Sequence, residues 1–115
     1  ECCARETAAL LALPQPPTCI LFPDDFSAIG GLNTIAAAGL RVPDDISVAG
    51  YDGIYLSQTM SPRLTTYRQD TAALGRTAAA RLIELIEKPR TTVMDRTVVT
   101  GALLPGGTVA RPCTE

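Results

Sequence analysis

Two short apolar runs, TCILF at residues 18–22 and ISVAGY at 46–51, constrain this chain more than any other feature. Each is too short for a core helix and too continuously apolar for a strand with one wet face. Runs of this kind suit strands buried on both faces, as in a parallel sheet. Helical patterns surround them. Residues 3–13 read as a helix with Leu10, Leu11 and Leu13 crowded to one side and Pro14 as the stop. Beyond Asp24 and Asp25, the residues Phe26, Ile29, Leu32, Ile35 and Ala36 share a face at helical spacing, and Gly39 supplies the end signal. Asp25 is the expected N-cap of that helix, and Asp24 is able to share the role.

Residues 54–60 read as a short helix ended by Ser61-Pro62, and LTTYR (64–68) as a third strand. Asp70 caps a long helix to Glu87 with an apolar stripe of Leu74, Ala78, Leu82 and Leu85. RTVVT (96–100) is the expected fourth strand, followed by a looser tail. The alternation α-β-α-β-(α)-β-α-β predicts an α/β fold, a parallel sheet flanked by helices on both faces.

Composition narrows the function classes. With 115 residues, 46% hydrophobic and 19% charged, the chain can build a core. A formal net charge of -2 and a single lysine, Lys88, argue against nucleic-acid binding by this chain alone. No apolar run approaches the ~18–20 residues of a membrane span, and there is no signal-peptide pattern. The sequence opens at Glu1 inside a helical pattern, so an upstream extension is expected. Cys2, Cys3, Cys19 and Cys113 form no C-x-x-C pair and read as reduced thiols in a cytoplasm, Cys19 as a small hydrophobe within its strand.

Ligands of open parallel α/β sheets bind outside the carboxyl ends of the strands. TCILF runs into Pro23-Asp24-Asp25 and ISVAGY into Asp52. Parallel strands would bring Asp24 and Asp52 to one edge, where two carboxylates suit a ligand rich in hydrogen-bond donors, such as a sugar or nucleoside. Gln69 follows the third strand and offers both a donor and an acceptor. Capping is the competing reading for Asp24, Asp25 and Asp52, and Asp44-Asp45 reads as solvated turn chemistry.

No catalytic residue, metal or cofactor is expected. There is no histidine, no G-x-S-x-G elbow and no phosphate-binding glycine loop. A metal-dependent enzyme using Asp24, Asp25 and Asp52 is the remaining enzymatic alternative, and it wants a cation that Lys88, at the far end of a helix, does not supply, although an arginine could substitute.

Four segments together resemble the LacI/GalR family of transcriptional regulators. They are PDDFSAIGGL (23–32), AAAGLRVPDDISVAGYDG (36–53), SPRLTTYRQD (61–70) and LGRTAAARLIELIE (74–87). The second is similar to the pattern AGL-x-VP-x-DISV-x-G-[FY]-D and the third to P-x-LTT-x-x-Q. The resemblance implies part of a type I periplasmic-binding-protein fold, two α/β subdomains with an effector in the cleft between them. Residues 1–63 would be the second half of the C-terminal subdomain. Residues 64–100 would be a crossover strand, helix and strand of the N-terminal subdomain, and residues 101–115 the return segment and tail.

The resemblance also implies roles. Asp24, Asp52 and Gln69 match effector-contacting positions, whereas Ile29, Leu56 and Met60 match positions lining a homodimer interface. DNA would be bound only through an upstream helix-turn-helix. Asp24 stands where many members carry Asn or Ser. The alternative is a secreted sugar-binding receptor of a transporter with the same fold.

Overall fold

In a computed structural model of the chain, residues 2–91, 93 and 95–112 are described. The elements are α1 (Cys2–Leu11), β1 (Cys19–Leu21), α2 (Asp25–Ala37), β2 (Ser47–Asp52), α3 (Tyr55–Thr59), β3 (Thr65–Arg68), α4 (Thr71–Glu87) and β4 (Ala102–Leu104). The strands form one sheet in the order β1-β2-β3-β4. The β1/β2 and β2/β3 pairs are parallel, with Ile20 opposite Val48 and Gly50 opposite Thr66. The expected alternation and parallel pairing are therefore present.

The chain divides into two compact units, Glu1–Arg68 with Leu103–Glu115, and Gln69–Ala102. The sequence reading took the chain out of the first unit at residue 64. Instead β3 stays beside β2 as far as Arg68, because β2 meets its backbone groups in register. The expected strand at 96–100 is also absent, and β4 lies at Ala102–Leu104. A strand needs a neighbouring edge, and within the second unit the described residues before Ala102 contain only α4 and irregular chain. Cys113 lies outside the described residues.

In the first unit the core is Ile20, Phe22, Ala28, Ile35, Ile46, Val48 and Leu64. Helix α2 presents Asp25, Ala28, Gly31 and Ile35 to this core, and Leu32 packs at its margin. Phe26, placed on the inner face by the sequence reading, is 67% exposed. Apolar residues occupy most of the circumference of α2, so periodicity alone does not select its inner stripe. Helix α1 contributes Cys3, Thr7 and Leu11, one helical turn apart, rather than the expected cluster of Leu10, Leu11 and Leu13.

Strand β1 was expected to be buried on both faces, but Cys19 and Leu21 point outward and Leu21 is 73% exposed. The side bearing Ile20 and Phe22 is covered, while Leu21 and Tyr51 lie on uncovered surface. Asp44 and Asp45 lie in the turn before β2, as expected, and both pair there with Arg41.

The returning tail is fastened by Thr108, which is fully buried. Its hydroxyl donates to Val48 O at 2.7 Å and accepts from Thr65 N–H at 2.9 Å, so one side chain joins the starts of β2 and β3. Thr108→Val preserves the shape but leaves the Thr65 amide without this acceptor. A loss of about 1–3 kcal/mol is expected in chemical denaturation, and an unchanged midpoint would show that the hydroxyl contributes nothing.

Candidate functional site

Parallel pairing sets Leu21 opposite Ala49, and Phe22 N–H donates to Ala49 O at 2.8 Å. The chain leaving β1 toward Asp24 and the chain leaving β2 at Asp52 therefore emerge from one edge of the sheet. Arg68, which the sequence reading did not single out, is the register partner of Asp52 on β3 and ends at the same edge. The stacked rings of Tyr51 and Tyr67, register partners with centroids 5.6 Å apart, lie one residue back from it. Gln69 follows Arg68 directly and is the first residue of the second unit.

The two adjacent aspartates divide their work differently from the expectation. Asp24, not Asp25, is the N-cap of α2. Its Oδ1 accepts from Ser27 N–H at 2.7 Å and its Oδ2 from the Ser27 hydroxyl at 2.9 Å. These bonds, the backbone one foremost, hold the half-buried Asp24 carboxyl below the usual aspartate range.

Asp25 sits in the first turn of α2 and is fully buried. Its Oδ1 accepts from the Thr66 hydroxyl and its Oδ2 from Ile54 N–H at 2.9 Å. A Cβ at position 50 would overlap Asp25 Oδ1, so Gly50 provides the notch that this carboxylate occupies. The sequence signal was available: 25, 28, 32 and 35 lie at helical spacing and put Asp25 on the same stripe as Ala28 and Ile35.

Asp52 is half-buried and adopts φ 107°, in the left-handed region that non-glycine residues seldom enter. Gly53 follows at φ 69°, and a Cβ there would overlap the Cα and Cβ of Arg68. The chain thus makes a tight turn against β3 before α3 begins.

Among the described residues, no group of three or more acidic, cysteine or histidine side chains is placed to hold a metal ion. In particular, Asp25 turns both oxygens inward to Thr66 and Ile54, away from any shared site with Asp24 and Asp52. No helix among the described residues is long and apolar enough to cross a membrane. Of the expected interface residues, Ile29 is half-buried on α2, Leu56 is exposed on α3, and Met60 follows α3 and is half-buried. Phe26 and Tyr55 on the same two helices are also exposed, and neither is among the expected interface residues.

Residues 3–109 match the family described as periplasmic binding protein-like domain. The chain is 49% identical over 82 residues to the probable HTH-type transcriptional repressor ExuR of Bacillus subtilis, a match covering 71% of the chain and 25% of that protein. It is 34% identical over 112 residues to the HTH-type transcriptional repressor CytR of Escherichia coli, covering 97% of the chain and 33% of that protein. The chain thus spans a quarter to a third of the length of these relatives.

Among solved structures, a dimeric lac repressor superposes with a TM-score of 0.85 at 33% identity, over 96% of this chain and 40% of that one. A LacI family regulator from Arthrobacter, solved in complex with lactose, superposes with a TM-score of 0.80 at 32% identity, over 94% and 40%.

The ionisation of Asp24 carries a sign. Because folding lowers its pKa, the ionised carboxylate stabilises the folded chain above its unfolded pKa of about 3.9, and the contribution is lost as pH falls through the lower folded value. Carboxyl-carbon NMR should place the Asp24 midpoint below those of ordinary aspartates, and Ser27→Ala, which removes the hydroxyl but keeps the capping N–H, should move it part of the way back up; coincident midpoints in the two proteins would show that the hydroxyl contributes nothing to the shift.

Proposed function

Since the chain belongs to the LacI/GalR family, in its periplasmic-binding-protein-like domain, we propose that it is the C-terminal part of the effector-sensing and dimerisation region of a cytoplasmic transcriptional repressor. It is a binding module rather than an enzyme. The observation that carries this reading is the parallel register of β1 and β2, which delivers Asp24 and Asp52 to one sheet edge. The curated relatives are repressors, which favours this reading over the secreted receptor.

In this proposal Asp24, Asp52 and Gln69 contact a small effector, a carbohydrate or nucleoside whose hydroxyl or amino groups donate to the carboxylates. The lactose complex of the Arthrobacter regulator supports the carbohydrate class. Residues 69–102 belong to the other subdomain. This is supported by α4, which buries none of its residues, its apolar stripe included, and so calls for cover from the longer protein. DNA is bound through an upstream helix-turn-helix.

Effector binding would favour one conformational state of the repressor, and the dimer would pass it to the DNA heads. Such coupling equals the effector's differential affinity for the two states, typically about 1–3 kcal/mol. In the same proposal Ile29, Leu56 and Met60 line the contact with a second copy; Leu56, Phe26 and Tyr55 are large side chains left exposed on α2 and α3.

Two outcomes test the proposal on the full-length protein. In a thermal-shift panel of sugars and nucleosides, at least one compound should raise the melting temperature, and Asp52→Asn should diminish that rise. A panel without any stabiliser would reject the effector class. Ile29→Asp places a charge on the proposed dimer face and should shift sedimentation toward monomer; an unchanged dimer would remove Ile29 from the interface.

A further inference from the structure

We propose that Asp25 is a positioning residue for Asp52: its buried carboxylate holds the Asp52–Gly53–Ile54 turn in the left-handed conformation that sets Asp52 on the sheet edge. The positioning stands on geometry, and its functional consequence rests on the reading of Asp52 as an effector contact.

Two consecutive residues with positive φ, one of them an aspartate, do not hold such a shape unaided. Backbone of this kind persists only where the surroundings over-determine it. Here it is held from both sides. Before the turn, β2 is paired to β3 up to Asp52 opposite Arg68, and Gly53 lies directly against the Arg68 backbone and stem. After the turn, the first amide, Ile54 N–H, donates to Asp25 Oδ2 at 2.9 Å.

That grip works because Asp25 is itself immobilised. Its other oxygen takes the Thr66 hydroxyl of β3, and its carboxylate sits in the notch left by Gly50 on β2. The carboxylate thus references the turn to two strands of the sheet.

The competing explanation is that Asp25 is only a core staple. It predicts a loss of stability and of Ile54 N–H protection with no effect on binding through Asp52. A buried carboxylate is costly unless its oxygens are met, so an inward position between Asp24 and Ala28 would otherwise favour an apolar side chain.

The test compares three variants of the full-length protein by hydrogen exchange. Asp25→Ala removes the grip. Asp25→Asn keeps an oxygen for Ile54 N–H and offers its amide to the Thr66 hydroxyl, and so serves as rescue. Ile35→Ala opens a core cavity without touching the turn. In Asp25→Ala, Ile54 N–H should exchange at least tenfold faster relative to Val48 N–H than in the parent, Asp25→Asn should restore protection, and Ile35→Ala should leave the ratio alone. An Ile54-to-Val48 ratio in Asp25→Ala that matches Ile35→Ala overturns the proposal.

A binding arm uses lactose and adenosine as probes. For a probe that binds, Asp25→Ala should weaken affinity at least tenfold in the parent and less than twofold in an Asp52→Asn background. Effects that multiply instead would show that Asp25 does not act through Asp52. If the exchange signature appears but Asp52→Asn leaves probe affinity unchanged, positioning stands and the effector role of Asp52 fails.

Discussion

The parallel pairing of β1 with β2 is the interaction on which the rest of the first unit depends. It requires the connection to recross a sheet face, and α2 makes that crossing over Ile20 and Val48. It also sends both strands out at one edge, so the loop before α2 and the turn after β2 become neighbours. Only then can a single carboxylate at the start of α2 reach both β3 and the amide of Ile54. A slip of one residue would turn Ile20 outward and Leu21 inward and separate the groups that meet at Asp25.

Much of this was legible in the sequence, because the signals that carry it are local. Short apolar runs, Gly39 after α2, Ser61-Pro62 after α3 and Asp70 before α4 each mark an element or its end without reference to the rest of the chain. The shared edge followed from one further inference, that alternating strands run parallel. The capping assignment failed for a non-local reason. Either aspartate satisfies the cap chemistry, and what decides between them is where the first turn of α2 faces. That depends on a notch at Gly50 and a hydroxyl at Thr66, one on β2 and the other on β3. The same geometry exposes Phe26 and buries Asp25, inverting the order that hydrophobicity alone would assign.

The remaining differences share another cause. Periodicity reports that a face is apolar, not which part of a protein covers it. Helix α4 has the expected stripe and cap, yet Leu82, Ile83 and Ile86 are exposed, as Leu21 is on β1. Residues 96–100 have the composition of a strand and no paired edge. The chain spans a quarter to a third of its curated relatives.

The two acids at the edge are not equivalent, and the difference bears on what such an edge can bind. Asp24 is oriented by its own helix: both oxygens accept from Ser27, which keeps it ionised and fixes its direction before any ligand arrives. Each oxygen retains a second acceptor direction, so a ligand hydroxyl would share the carboxylate with the cap rather than displace it. Asp52 is oriented by its backbone, through a turn that glycine and a buried partner make possible. In the proposed site, orientation by two independent means would lower the ordering cost of binding. It would also make the edge selective, because carboxylates held in place discriminate donors by position rather than by charge alone. Arg68, the register partner of Asp52, ends β3 at the same edge.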